Sequence, residues 1–336
     1  MTSVADTRIA SYLTLGISRP RIYFKGGSVK LHIGFRGAQR SISLIAVDWG
    51  TSNFRAFRLN ARGAIVARCS SPRGILQVGD GNFAAALRAE VDPWLAEGET
   101  DVLMCGMIGS RQGWVEAGYL ACPAGISDLA GAVTQVPFAE ATVLLVPGVK
   151  GADAAGVPEV MRGEETAAMG MLEGCDGSGL VCFPGTHSKW IQLSEHTIVN
   201  FATWMTGEVY SALRRCTILE RTMTSDTAID QAAFQNGVAR SANSAGLLHH
   251  LFGVRTLALM GQLNEEISAS YLSGLLIGHE VRAALPGAAR VHLVGTAALC
   301  TLYALAIEAC GGAAQVEDED AAALGLAAIG RRLQWT

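Results

Sequence analysis

The chain has 336 residues, half of them hydrophobic and 17% charged, with 39 glycines and a formal net charge of −4. That length suits two domains of about 150 residues each, and the composition excludes a disordered or fibrous chain. The slight negative balance offers nothing to nucleic acid or an anionic membrane, and no apolar run approaches the roughly 18 residues needed to span a bilayer.

Residues 1–42 carry Arg8, Arg19, Arg21, Lys25, Lys30, Arg36 and Arg40 against a single acid, Asp6. Such an Arg-rich, acid-poor segment imitates a transit peptide. However, Ser11 and Thr14 interrupt its apolar stretch, and no small-residue cleavage site follows. The segment is expected to be an N-terminal extension that adds nothing to the fold and is poorly ordered. Eight cysteines, at 69, 105, 122, 175, 182, 216, 300 and 310, form no C-x-x-C pair, and no histidine cluster stands near them at zinc-ligand spacing. Most lie in apolar stretches, where a reduced thiol behaves as a small hydrophobe. A reducing, cytoplasmic setting without structural disulfides is expected.

From residue 43 the pattern changes. Ile45-Ala46-Val47 predicts a strand, Gly50-Thr51-Ser52 a turn, residues 54–59 a second strand holding Arg55 and Arg58, and Ala64-Ile65-Val66 a third. Apolar spacing predicts a helix over 82–95, then buried strands over 102–105, ending at Gly106, and over 143–146, stopped by Pro147-Gly148. The Gly- and Ala-rich stretch 148–158 is the expected crossover between a first domain, 43–155, and a second, 156–336. A helix over 164–172 follows, and the opening pattern restarts with a strand (179–183), a turn (184–188) and a return strand (189–193). Further on, a helix over 270–285 has Gly274 and Gly278 four apart, as close helix packing requires. A strand over 290–294 runs into Gly295-Thr296, and helices over 297–309 and 321–333 complete an α/β pattern. The acidic run 317–320 is expected to be a solvated cap at the last helix.

The turns Gly50-Thr51-Ser52 and Gly185-Thr186-His187 are each entered by an apolar strand and left by one bearing a basic residue, Arg55 or Lys189. Tight turns of this kind present successive backbone N–H groups to phosphate oxygens. Their glycines let the backbone come close, and Thr51, Ser52, Thr186, His187 and Ser188 add side-chain donors. One such hairpin is a common feature; two, one per domain, would face each other across a cleft and clamp a triphosphate. Asp48, at the end of the first strand, is an anion beside phosphates, which makes sense if it holds Mg²⁺ directly or through water. The competing reading is that it caps its own turn.

Gly295-Thr296, between a strand and a helix, is a candidate to lie against an adenosine. Glu164, at a predicted helix start, is placed where a general base for a substrate hydroxyl could sit, or it is an acid favoured by the helix dipole. In the loop 106–114, Arg111 could bind a carboxylate bidentately, with Gln112 beside it and Trp114 packing on a sugar-like face; the competing reading is an ordinary surface loop. Glu208, in a predicted loop over 203–208, could contact substrate or serve as a helix cap. His249, His250, His279 and His292 show no partner in the sequence and read as structural.

The blocks DWGTSNFRAF, CGMIGSRQGW, VPGV, MRGEET, FPGTHSKW, FATWMTGE, SYLSGLLIGHE and LVGTAAL, in this order from Ile45 to Leu333, resemble the 2-dehydro-3-deoxygalactonokinase family. The family belongs with acetate and sugar kinases, Hsp70 and actin. The resemblance implies two ribonuclease-H-like domains with ATP and Mg²⁺ in the cleft between them. It implies phosphorylation of the C6 hydroxyl of 2-dehydro-3-deoxy-D-galactonate, in galactonate breakdown. Asp48 to Ser52 would be the first phosphate motif, Gly185 to Ser188 the second, and Gly295 the adenosine motif. The Gly163-Glu164-Glu165 block is also similar to the segment before the second phosphate motif in exopolyphosphatases, where a Glu assists attack. One departure stands out: the second motif of the superfamily often begins with Asp, whereas Phe183 or Pro184 holds that place here. Metal handling would then fall mainly to Asp48. The expected partners are the sugar acid and ATP, with a homodimer also allowed. Two other readings stand beside this one: another sugar or amino-sugar kinase on the same scaffold, or a nucleotide-binding regulator without catalysis.

Overall fold

In the computed structural model, which describes residues 43–172, 176–224 and 228–335, strand β1 (Leu44–Trp49) is apolar on both faces because both are covered. Leu44 and Ala46 enter one core, and Ile45, Val47 and Trp49 another. The calls on residues 1–42 lie outside the described residues. β1 pairs antiparallel with β2 (Phe54–Leu59), and β2 antiparallel with β3 (Ile65–Ser71). Helix α1 (Phe83–Ala96) starts where the Asn82 side chain accepts from the Ala85 N–H at 3.1 Å. β4 (Asp101–Cys105) then runs parallel to β1. After β5 (Tyr119–Ala121), β6 (Ala124–Gly125), α2 (Ile126–Gly131) and β7 (Thr134–Val136), strand β8 (Thr142–Leu145) lies parallel to β4. The sheet order is β3-β2-β1-β4-β8-β7.

The stretch read as a crossover is ordered strand. β9 (Gly148–Ala152) and β10 (Pro158–Met161) form an antiparallel hairpin, and β9 runs parallel to β5. Two local causes suffice: Asp153 Oδ1 accepts from the N–H groups of Ala155 and Val157, closing the turn, and Val149 and Met161 are buried in the core.

Helix α3 (Glu164–Gly170) leads to β11 (Gly179–Phe183), β12 (Ser188–Ser194) and β13 (Thr197–Trp204), an antiparallel series. The helices α4 (Thr206–Cys216), α5 (Gln231–Arg240), α6 (Leu247–Leu259) and α7 (Ser268–Ala284) follow. The predicted loop over 203–208 is therefore the end of β13 joined to the first turn of α4. β14 (Arg290–Leu293) is parallel to β11. Helix α8 (Ala297–Ala309), β15 (Ala313–Val316, parallel to β14) and α9 (Ala321–Arg332) close the fold. The second sheet is ordered β15-β14-β11-β12-β13-β6. Its β11-β12-β13-β14-β15 repeats β1-β2-β3-β4-β8 in order and in sense, three antiparallel strands and then two parallel ones. This is the ribonuclease-H-like arrangement, present twice.

Helices α3 and α9 lie between the sheets: Ala168 and Met169 of α3 and Leu326 and Ile329 of α9 share a core with Leu103 of one sheet and Val181 and Ile191 of the other. α1 covers the far face of the first sheet, and α5, α7 and α8 the far face of the second. The two halves are tied together further, because β6 from the first half forms an edge of the second sheet and α9 packs on β1 and β4. The acidic run before α9 is more than a solvated cap. Asp320 pairs with Arg68, and Glu317 Oε1 lies 2.6 Å from His292 Nδ1, so these acids fasten the start of α9 to strands of both sheets. His292 thus has a partner that sequence distance concealed, and His250 has one in His279, at 2.9 Å.

The α3–α9 crossing leaves no room for a side chain. A Cβ at Gly325 would stand 1.8 Å from the Thr166 carbonyl oxygen, and one at Gly170 2.1 Å from that of Ala321. α5 and α7 cross in the same way, with a Cβ at Gly274 meeting the Phe234 carbonyl oxygen at 1.9 Å, as the glycine spacing predicts. Gly325→Ala should therefore lower unfolding free energy by about 1–3 kcal/mol or more. Urea denaturation measures this, and an unchanged midpoint would contradict backbone contact at the crossing.

Candidate active site

A cavity of about 780 Å³ is lined by the β1–β2 hairpin, by the ends of β4 and β14, and by Phe183 and Pro184 at the entry to the β11–β12 hairpin, whose turn residues Gly185, Thr186 and His187, with Lys189, stand outside the lining. At the β1–β2 hairpin, Gly50 N–H donates to the Asn53 carbonyl at 2.9 Å and closes the turn. The carbonyls of Gly50 and Thr51 are held from behind by the N–H groups of Ile75 and Leu76, at 3.0 and 3.3 Å. The N–H groups of Thr51 and Ser52 donate to no carbonyl among the described residues. The β11–β12 hairpin repeats this plan. The Glu208 N–H, in the first turn of α4, donates to the Thr186 carbonyl at 3.0 Å, and Lys189 Nζ donates to that of His187 at 3.0 Å. The N–H groups of Gly185, Thr186 and His187 donate to no carbonyl among the described residues. Carbonyls pinned on one side and amides unspent on the other are an arrangement able to receive an anion.

Asp48 sits across the β1–β2 ladder from Arg55, whose Nη2 and Nε lie 2.5 and 3.2 Å from Asp48 Oδ2. The other oxygen, Oδ1, lies beside Gly106, where a Cβ would come within 3.2 Å of it and within 2.7 Å of the Trp49 carbonyl. Gly106, at φ 96°, ends β4 at the cleft. Gly295 stands at the equivalent end of β14, against Pro184, and both line the cavity with Asp48, Thr51, Ser52, Arg55 and Thr296. Thr296 is the N-cap residue of α8.

Glu164 and Glu165 begin α3 and face different surroundings. Glu164 lines the cavity. Its Oε1 is 3.5 Å from the buried Lys189 Nζ, and its Oε2 accepts from the Arg162 N–H at 3.3 Å. Glu165 is fully buried, accepting from the Gly163 N–H at 2.6 Å and the Thr166 hydroxyl at 2.9 Å. Burial, and then the neighbouring Glu164 charge, push its carboxyl up to about 8.

Other predicted site residues are placed differently. Ser188 is buried, and its hydroxyl meets Tyr303 OH at 2.8 Å. Tyr303 OH in turn donates to Glu280, which also accepts from Trp190 Nε1 at 2.8 Å. Burial pushes both the Glu280 carboxyl and the Tyr303 hydroxyl up. Ser188 thus anchors the second hairpin from beneath rather than facing the cavity. His187 and Glu208 are exposed and pair with each other, Nε2 to Oε2, at 2.5 Å.

Arg111, Gln112 and Trp114 do not line the cavity. The Arg111 side chain is 84% exposed and pairs with Glu116 at 3.0 Å. Gln112 accepts from Ser110, and Trp114 packs edge-on to Phe138 against the core of the first sheet. Sequence reasoning passed over Gly106, Arg162, Gly163, Pro184 and Glu319, which do line the cavity. Arg162 stood inside the quoted MRGEET block, next to the glycine that starts the helix, and position was its only signal.

The sequence model of one protein family, described as 2-keto-3-deoxy-galactonokinase, matches residues 48–329. The chain belongs to that family. It is 38% identical over 296 residues to a Rhizobium meliloti protein named probable 2-dehydro-3-deoxygalactonokinase, covering 86% of this chain and 96% of the relative. It is 35% identical over 271 residues to the 2-dehydro-3-deoxygalactonokinase of Escherichia coli K12, covering 80% and 90%. A crystal structure from Sinorhizobium meliloti under the same kinase name superposes with a TM-score of 0.80 at 37% identity, over 86% of this chain and 99% of that one. The family match begins at Asp48 and ends inside α9, so it takes in both hairpins, both glycine-ended strands and the α3–α9 pair.

The raised Glu165 carboxyl gives stability a pH dependence. Folded protein holds a proton that the unfolded chain releases, so this contribution is full below about pH 4.5 and is lost as pH rises towards 8. Glu165→Gln is neutral throughout and should gain stability relative to the parent between pH 5 and 8. Parallel urea titrations at several pH values should show the gap widening; a constant gap would mean Glu165 is ionised in the fold.

Proposed function

We infer that the protein is an ATP-dependent kinase, a phosphotransferase with an alcohol acceptor, acting on the C6 hydroxyl of 2-dehydro-3-deoxy-D-galactonate in galactonate breakdown. Family membership supports this reading. The single structural observation that carries it is the pair of like hairpins with unspent N–H groups, one lining the cavity and the other entered from it through Phe183 and Pro184. The cleft would lie between two ribonuclease-H-like domains, residues 43–155 and 156–336. Net charge of −4 and free thiols at all described cysteines fit a cytoplasmic enzyme of small molecules. Among the described residues no helix is long and apolar enough to cross a membrane. A homodimer is compatible with this reading.

Each part of the site then has a task. Thr51, Ser52 and Arg55 on one side, and Gly185, Thr186, His187 and Lys189 on the other, would hold the ATP phosphates, with Gly295 and Thr296 against the adenosine. Glu164 would accept the proton of the C6 hydroxyl as that oxygen attacks the γ-phosphorus and the bond to ADP breaks. Lys189 Nζ, 3.5 Å from its Oε1, would orient Glu164. Asp48 fits a metal through Oδ1, since Arg55 occupies only Oδ2. No group of three or more metal-binding side chains exists among the described residues, which suits Mg²⁺, an ion held by one or two carboxylates together with phosphates and water. When bound, it would neutralise the β- and γ-phosphate oxygens.

A coupled ADP-release assay across keto-deoxy acids, aldonic acids and neutral hexoses tests the assignment. Turnover confined to neutral hexoses would overturn the substrate. Glu164→Gln should lower kcat by roughly 10²–10⁴ with the ATP KM little changed; a rise in KM alone would move the base elsewhere. Asp48→Asn should abolish most turnover while thermal unfolding stays near the parent's, and near-normal turnover would remove Asp48 from the metal.

A further inference from the structure

Arg162 is a buried cation that the proposed reaction has not yet used. Its side chain is 7% exposed. Nη2 donates to the Ala117 carbonyl at 2.6 Å, and the guanidinium lies 4.3 Å from the centre of the Tyr119 ring. Nε and Nη1 are buried without a partner among the described residues, and no carboxylate there comes within 4.0 Å of the group. A guanidinium taken out of water and left with two idle donors is costly. Structures retain such a group where an anion completes it.

The backbone directs the two acid–base side chains of this turn apart. Arg162 and Glu164 flank Gly163, which is at φ 108° and whose own Cβ would approach Gly106 to 3.2 Å. From there Arg162 reaches towards Ala117 and Tyr119, at the β5 side, while Glu164 reaches towards Lys189 on β12. Both residues line the same cavity. A ligand with an anion at one end and a reacting hydroxyl at the other is matched by this divergence. Arg111, the other arginine considered for the role, is exposed and already paired with Glu116.

We propose that Arg162 binds the substrate carboxylate and is the residue by which the site selects a sugar acid over a neutral sugar. This rests on the sugar-acid kinase reading. In the structure Nε and Nη1 are buried while Nη2 bonds Ala117 and the group stacks on Tyr119; a turn of the side chain towards the cavity that its residue lines would let Nε and Nη1 donate charge-assisted hydrogen bonds to the carboxylate.

The test is steady-state kinetics of Arg162→Lys, Arg162→Gln and Arg111→Ala on the keto-deoxy acid, its C1 amide and ATP. In the Arg162 variants the KM for the acid should rise roughly 10- to 100-fold, the acid-over-amide preference should shrink by the same factor, and the ATP KM should hold within about twofold; Arg111→Ala should leave the acid KM near the parent's. Any of three outcomes overturns the assignment: acid KM unchanged in both Arg162 variants, acid and ATP KM rising together, or loss of the acid only in Arg111→Ala. A parent enzyme that turns over no sugar acid would instead overturn the reading on which this rests. Crystals of the parent protein with the acid give an answer even if both variants unfold, with the carboxylate on Arg162 expected and a carboxylate on Arg111 decisive against it.

Discussion

The close crossing of α3 and α9 governs the rest of the molecule. Gly170 and Gly325 let the two helix backbones touch, and the touching pair fills the space between the two sheets. That contact sets how far apart the sheets stand, and so how far apart the β1–β2 and β11–β12 hairpins stand. It also fixes α3 along its axis, with Glu164 and Glu165 in its first turn and Arg162 just ahead of its N-cap Gly163. The acids ahead of α9 add to the same constraint by binding Arg68 and His292, on strands of different sheets.

Charge in the cleft is arranged in graded degrees of compensation. Asp48 shares one oxygen with Arg55 and keeps the other. Glu164 lines the cavity with Lys189 Nζ 3.5 Å away. Glu165, one residue on, is buried and held largely neutral at pH 7, so two adjacent carboxylates do not both burden the helix start with charge. The Arg162 guanidinium has two donors without a partner among the described residues. On the proposed reading, anions arriving with substrate would complete that balance.

The second hairpin shows why a motif cannot be read by residue type alone. Thr186 and Ser188 both carry hydroxyls, yet they are placed differently: Thr186 is exposed in the turn, whereas Ser188 begins β12 facing the core and closes a hydrogen-bond chain with Tyr303, Glu280 and Trp190. Its contribution is to hold the hairpin, from a network spread over β12, α7 and α8. The loop from Gly106 tells the same lesson in reverse. Its glycine reaches the cleft, while Arg111 and Trp114, chemically the more eloquent residues, turn to solvent and to the core.

Much was legible in the chain without its fold. Apolar runs, turn glycines and helical spacing determine most strands and helices of both sheets, because those signals are local. The doubled Gly-Thr turn, with Asp48 before the first, also points to phosphate, since hairpin geometry is settled within a few residues. The α4–α6 region, the β9–β10 hairpin and the five-strand extent of the repeat were not legible, because short edge strands and half-exposed helices take their stability from partners distant in sequence. Only tertiary structure decided which charges are paired, which are buried and which are idle. Glu164 and Glu165 are neighbours of identical chemistry, and Arg111 and Arg162 are both arginines beside glycine-rich turns. Burial and pairing separate them, and both depend on atoms brought together across the whole chain.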